Sequence, residues 1–360
     1  MPEARELTFT AAIREAFDIA MSDDDGVFVM GEGVADPKAV FNTLAGLPEK
    51  FGKHRVMETP LAENAMTGVA LGAAQLGRRP VLVHQRVDFA LLSLDQIINN
   101  AAKWHYMYGG IYKAPIVIRL IIGRGWGQGA QHAQSLESVF AHIPGLKVVM
   151  PACPQDAKGL MLAAITDDNP VIYLEHRWLH GTRGPVPEGR YLTPIEQPRI
   201  ARAGGKVTIA ATSYMVVEAL KAAEILDIFG CQAEVLDLRV LRPLDPAMVI
   251  QSVRKTGHLI TVDTGWGKYG IGAEVVAAVA EQAFSALAKP PARLATAEYP
   301  SPSSMGLIPG YYPTAEAIIG EVFKMGLLTQ DAFDGAVAAL RAQKGTLPID
   351  VPDPKFTGPF

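Results

Sequence analysis

Glu63 is the residue whose position first asks for a chemical explanation. It follows Thr59-Pro60-Leu61-Ala62. That stretch predicts a helix start, with Thr59 as N-cap and Pro60 at the first helical position, where its missing N–H costs nothing. A capping box wants its acid at position 62, which is alanine, so Glu63 lies one step past its best structural use. The helix predicted over 61–77 is apolar and carries Gly68 and Gly72 one turn apart. It is unlike a surface helix, and its glycines would let another backbone approach. A carboxylate at the head of a buried helix needs a partner. The plain alternative is an acid favoured by the helix dipole, and spacing alone leaves both open.

Three further clusters carry reactive side chains. Gly123-Arg124-Gly125-Trp126-Gly127-Gln128-Gly129-Ala130 formally fits a dinucleotide-binding glycine pattern from residue 125. That fold also wants an acid about 20 residues on, where the chain reads Val148-Val149-Met150-Pro151. A glycine loop bordering a site fits better. Gln131-His132-Ala133-Gln134 follows it directly, and two flanking amides raise His132 above an ordinary structural histidine. His84-Gln85-Arg86-Val87-Asp88-Phe89 closes a predicted strand at 81–84, on the edge where open parallel sheets bind ligands; the alternative is a polar loop with Phe89 starting a core face. His176 and His180 have metal-ligand spacing but follow a strand rather than lie on a helix, so a zinc site is rejected there.

These clusters need a frame, and the hydrophobic pattern supplies one. Phe9, Ile13, Phe17, Ala20 and Met21 fall at helical spacing after Thr10, which is expected to cap them. Strands are predicted at 27–30, 81–84, 115–122, 146–150 and 171–174, and helices at 61–77, 93–107 and 155–167. Strands alternating with helices imply right-handed βαβ units, hence an α/β fold with a mostly parallel, doubly wound sheet. Residues 181–205 are rich in Pro, Gly and Arg without a period and read as a linker. A second alternating series follows: strands 206–211, 232–237, 257–262 and 292–297, and helices 214–229, 246–254 and 271–286. The expected organisation is a first domain over 1–180, the linker, a second doubly wound domain over 206–330, and a Pro-rich C-terminal extension over 331–360.

Composition narrows the function. The 360 residues suffice for two or three domains at roughly 100–200 residues each. Hydrophobic residues make up 49% and charged residues 19%, enough for a large core. With 33 basic and 37 acidic residues there is no cationic excess to bind nucleic acid. Cys153 and Cys231 are the two cysteines, which excludes a disulfide framework and suits a reducing cytoplasm. No signal peptide is visible, and no uncharged apolar run reaches the ~20 residues of a membrane span.

Several stretches in order carry a resemblance. They are GEGVA (31–35), RVMETPLAENAMTGVALGAA (55–74), LDQIINNAAKWHYMYGG (94–110), GAQHAQS (129–135), PGLKVVMPACPQDAKGLMLAAITDDNPV (144–171), EVLDLRVLRPLD (234–245) and GHLITVDTGW (257–266). From about residue 7 to about residue 325 the chain resembles the beta subunit of thiamine diphosphate-dependent 2-oxo acid dehydrogenases, the decarboxylating first component. The resemblance implies a pyrimidine-binding domain followed by a transketolase-like C-terminal domain. It places Glu63 on the glutamate that bonds a ring nitrogen of the cofactor's aminopyrimidine, Phe89 on the aromatic packed on that ring, and His132 on the histidine facing substrate. Glu32 and Gln85 are the further cofactor-binding candidates. Ile116, Ala164, Asp167 and Asn169 fall on a loop that holds a structural potassium ion, largely through carbonyls, in part of the family.

The cofactor's diphosphate and Mg²⁺ need a GDG motif, and the chain contains none. In the resembled family that half-site sits on a separate alpha subunit, so the resemblance implies an α2β2 assembly, with a lipoyl-bearing acyltransferase core as a further partner. His84, Gln85 and Arg86 depart from the family pattern. A cation and two polar groups suit a carboxylate-rich, phosphorylated or sugar-like substrate; the plain alternative pairs Arg86 with Asp88 or with a partner. The second functional reading is a two-subunit acyloin or ketol transferase working without oxidation. The third is a non-catalytic subunit that kept the fold.

Overall fold

A computed structural model describes residues 5–36, 38–123 and 128–344. The chain builds two parallel-rich sheets in sequence. The first has seven strands, in the order Val240–Arg242, Lys147–Val149, Val171–His176, Val117–Ile122, Arg79–His84, Val27–Gly31, Val56–Glu58. All neighbours are parallel except Val240–Arg242, which pairs antiparallel with Lys147–Val149. The second has five strands, in the order Ala292–Thr296, Leu259–Trp266, Val207–Ala211, Ala233–Asp237, Arg199–Arg202, with the last antiparallel. The central strands are buried along their whole length, as continuous Val/Ile/Leu runs require when both sheet faces are covered. Strand Val240–Arg242 follows the second sheet's Ala233–Asp237 in sequence yet pairs into the first sheet, so the two layers share a strand crossing.

Local differences from the sequence expectation have identifiable causes. Helix Phe9–Asp23 is capped by Thr8, not Thr10: Thr8 is extended and its hydroxyl accepts from Ala11 N at 3.1 Å. Thr10 instead sends its hydroxyl to His180 O. The helix expected over 61–77 runs Glu63–Gln75 with Ala62 as an N-cap lacking any side-chain bond, so neither Thr59 nor Pro60 opens it. Thr59 N is taken by Gly31 O, which holds residue 59 against the neighbouring strand. The helix expected over 93–107 breaks into a 3₁₀ turn at Leu91–Ser93, a π-helix at Asp95–Ala101 and an α turn at Trp104–Met107. The i→i+5 bond from Ala102 N to Ile97 O marks the wider turn.

Residues 181–205 are not without structure. Arg183–Pro185 pairs with Glu6–Thr8, and Arg199–Arg202 edges the second sheet. Residues 331–344 likewise belong to a helix, Gln330–Lys344, whose Phe333 stacks on Phe323 at 4.5 Å and whose Ala336 is fully buried. The remainder of the expected extension, 345–360, lies outside the described residues, as does Arg124–Gly127 of the glycine loop. Among the described residues no helix is long and apolar enough to cross a membrane.

Candidate functional site

Five adjacent parallel strands end on the same edge of the first sheet. Their ends bring together Glu58, Gly31-Glu32, His84-Gln85-Arg86, Gly123 and Glu175-His176. This is the carboxyl edge, where the following loops leave the sheet and a ligand can meet backbone and side chains together.

One flank of the edge is acidic. The Glu58 carboxylate accepts from Gly33 N at 2.7 Å and Ala35 N at 3.0 Å, pinning the loop that carries Glu32. Glu32 is 7% exposed. Burial, then the charges of Glu63 and Glu58, push its carboxyl up to about 7. Gln85 Nε2 donates to Glu32 O at 3.3 Å and lies where a Cβ on Gly33 would stand; Gly33 also has φ +71°, so only glycine fits there. Glu63 is half-buried at the first turn of its helix, and its carboxylate makes no hydrogen bond or ion pair among the described residues. Four carboxyl and amide groups therefore converge, and among the described residues no ion pair to Glu32, Glu58 or Glu63 is formed.

The centre is aromatic. Short helix Val87–Ala90 carries Phe89, whose ring meets His132 edge-on at 5.2 Å and 84°. Gln134 Nε2 donates to Asp88 Oδ1 at 2.7 Å, and Gly123 N to Gln134 O at 3.1 Å. These bonds fasten the His132 segment to the end of two strands. Helix Glu63–Gln75 packs against the Phe89 helix; Phe89 meets His132 directly, while Glu63 acts on Glu32 of the acidic flank.

The other flank is basic. His84 is 1% exposed, with both ring nitrogens unpaired; burial lowers it to about 4, so it is neutral. Arg86 donates to Gly123 O at 3.0 Å and to Gln128 Oε1. It does not ion-pair with Asp88, which takes Gln134 instead. Burial and the charge of Arg177 lower Arg86 to about 10, with Asp88 opposing, which leaves it protonated at neutral pH. His176 is pushed down to about 3 by burial and by the cations around it. His176 and His180 form no metal pair: His176 Nδ1 accepts from Trp178 N, and His180 bonds Glu175. Glu175 is itself clamped by Arg119 at 2.6 Å, both side chains fully buried. Glu58 and Arg177 were given no role by the sequence reading, though Glu58 stands just before Thr59 and Arg177 just after His176, and Asp88 entered it only as an alternative partner of Arg86.

Two domain families match consecutive parts of the chain: the transketolase pyrimidine binding domain over 5–181 and the transketolase C-terminal domain over 197–318. Beta-2 subunit of the pyruvate dehydrogenase E1 component from Oryza sativa subsp. japonica is 42% identical over 88% of this chain and 85% of its own. The corresponding beta subunit from Rickettsia felis is 41% identical over 89% and 98%. The beta subunit of acetoin:2,6-dichlorophenolindophenol oxidoreductase from Cupriavidus necator is 42% identical over 88% and 96%. The chain belongs to the 2-oxo acid dehydrogenase beta-subunit family. A solved split-gene transketolase, in an inactive beta4 tetramer, shares its fold at a TM-score of 0.65 and 20% identity, over 93% of this chain and 98% of that one.

For a 2-oxo acid dehydrogenase beta subunit, two more places matter. The carbonyls expected to bind potassium already have internal donors. Ile116 O accepts from Val171 N, Ala164 O from Asp167 N, and Asp167 O from Arg79 Nη1 at 2.9 Å. Asn169 bonds Asp167 Oδ1. Among the described residues, no group of three His, Cys, Asp or Glu side chains is placed to hold a metal. The helix headed by Glu63 is also less buried than its sequence suggests. Leu61 is 82% exposed and Leu76 87%, and a Cβ on Gly72 would meet nothing within 4 Å. The close approach expected at Gly72 is not made within this chain.

Proposed function

We propose that the chain is the beta half of a heteromeric thiamine diphosphate-dependent enzyme that decarboxylates a 2-oxo acid. The acyl unit then passes to a lipoyl disulfide, which is reduced as it accepts it. The observation that carries this reading is the free Glu63 carboxylate, beside a buried Glu32, at the head of an apolar helix left open to solvent.

The donor set suits the pyrimidine end of the cofactor. Glu63 would bond a ring nitrogen, Phe89 would pack on the ring, and Glu32 with Gln85 would close its polar edge. When bound, the cofactor supplies a nucleophilic carbon and a sink for the electrons left by departing CO₂. The chain's own part is proton handling and exclusion of water. Glu63 holds a proton at the ring nitrogen, and a neighbouring carboxyl at about 7 lets that proton be shared near neutral pH. His132 donates to the oxygen where negative charge develops. Arg86 and neutral His84 stand ready for the substrate's anionic or polar end.

The second half of the site belongs to a partner. Exposed Leu61, Leu76, Leu92, Tyr106 and Ile111 are more apolar surface than a lone soluble chain presents without use. An alpha subunit carrying the diphosphate and Mg²⁺ half-site would cover them in an α2β2 assembly. The free thiols of Cys153 and Cys231 suit a reducing compartment such as the cytoplasm. No step is assigned to potassium.

The test is co-purification with an alpha-type subunit, then assay against a panel of 2-oxo acids with thiamine diphosphate and Mg²⁺. CO₂ release from at least one acid, dependent on both chains, is expected. Ketol transfer with no CO₂ release from any acid would replace this reading with a transferase. Full activity of Glu63→Gln in the complex would make the chain a non-catalytic subunit.

A further inference from the structure

The imidazole of His132 makes no hydrogen bond among the described residues; it meets Phe89 edge-on at 5.2 Å. No side-chain bond orients the ring, so its place depends on the backbone that carries it. On the first sheet's side that backbone is held through Gln134. On the other side it lies against the loop that follows strand Ala292–Thr296 of the second sheet. Ser301 Oγ donates to Ala133 O at 3.3 Å, one residue past His132. Ser303 Cβ stands 3.1 Å from where a Cβ on Gly129 would be, three residues before His132. Gly129 also has φ +71°, so neighbour and backbone both ask for glycine there. Farther along, Thr264 Oγ1 donates to Glu137 Oε1 at 3.3 Å. A Cβ on Gly265 would lie 2.5 Å from that same oxygen and 3.2 Å from Ser135 O.

The surface on which the His132 turn rests is stiff by sequence. Ser301 stands between Pro300 and Pro302. Each proline fixes its own φ and biases the residue before it towards an extended backbone. Ser301 is 6% exposed and Tyr311 2%. The Tyr311 hydroxyl lies 3.1 Å from Ser301 Oγ and 3.1 Å from Tyr299 O. Its proton can serve either, while that of Ser301 goes to the Ala133 carbonyl, which can only accept. Ala297 N donates to Tyr311 O at 3.0 Å and Trp266 Nε1 to Tyr299 O at 3.4 Å, which ties the loop to the ends of two strands of the second sheet.

We propose that Ser301 is a positioning residue for His132, and that the loop carrying it is the seat on which the turn over 129–133 is held. The second sheet's domain would then take part in the chemistry without touching the substrate. The assignment rests on the proposed role of His132; the seat itself does not. Loss of the Ser301 hydroxyl releases Ala133 O and lets the His132 turn drift, while Glu63 and Phe89, on other elements, keep their places.

The test uses the assembled alpha–beta enzyme. Ser301→Ala should lower kcat by about tenfold, the cost of a slightly misplaced reacting group, with KM and thiamine diphosphate binding nearly unchanged. In a His132→Ala background the same substitution should cost nothing further, because its effect passes through that ring. Hydrogen exchange read by mass spectrometry should show peptides over 129–135 exchanging about fivefold faster in Ser301→Ala, the worth of one hydrogen bond, with peptides over 63–75 as in the native enzyme. Should Ser301→Ala fail to assemble, Ser301→Cys, close in size but a weaker donor, decides by the same readouts. Native kcat in the variant overturns the proposal. So does a loss of the same size in the His132→Ala background, or native exchange over 129–135. An enzyme inactive on every 2-oxo acid whose 129–135 amides still loosen would instead leave the seat standing and count against the functional reading.

Discussion

The two flanks of one sheet edge are built in opposite senses. On the side of Val56–Glu58 and Val27–Gly31, Glu58, Glu32 and Glu63 gather negative charge, and the response is a proton: Glu32 rises to about 7. On the side of Val171–His176, Arg86 and the neighbouring Arg177 gather positive charge, and the response is to keep the histidines neutral: His84 falls to about 4 and His176 to about 3. Phe89 and His132 lie between. Three strand steps of about 4.8 Å each separate Val27–Gly31 from Val171–His176, and with them a region suited to handling a proton from a region suited to facing an anion. On the function proposed above, the first flank would serve the cofactor and the second would face the substrate.

If that division is right, substitutions on the two flanks should fail differently. The largest expected effect is Glu63→Gln, which should cut CO₂ release by about 10²–10⁴-fold in kcat, the usual worth of a positioned acid–base group, with little change in KM. Arg86→Ala should do the reverse, raising KM by about tenfold or more, the worth of a charge-assisted bond, with a smaller change in kcat. Steady-state kinetics on both variants decides the matter, and a kcat-only effect at Arg86 would reduce it to a support for Gly123 and Gln128. The smallest effect is thermal. Because the folded Glu32 carboxyl is raised, the folded state binds the extra proton between about 4.5 and about 7. Stability attributable to this group therefore falls as pH rises through that window and is level above it. Melting curves of Glu32→Gln against pH should lose that slope relative to the native protein; an unchanged slope would place the proton elsewhere.

Much of this was legible beforehand, and for physical reasons. Period and turn residues located the parallel strands and put His84 to Phe89 at a carboxyl edge, whereas Glu63, Phe89 and His132 were joined as one site by the family resemblance. Other features depend on contacts distant in sequence. Thr8 rather than Thr10 caps the first helix because Thr10 is drawn to His180, some 170 positions away. Arg86 and Asp88 are close in sequence and opposite in charge, yet each is taken by the glycine and histidine loops, a choice no local pattern encodes. The glycines of the Glu63 helix pointed to a close neighbour, but an apolar stretch reads the same whether its cover is its own chain or another.

Exchange of the thiazolium C2 hydrogen for deuterium, measured in the assembled enzyme without substrate, isolates the acidic flank from everything the basic flank does. The account predicts that Glu63→Gln slows this exchange by about 100-fold or more while the cofactor stays bound. Exchange at the native rate in Glu63→Gln, with the cofactor fully bound, would contradict it.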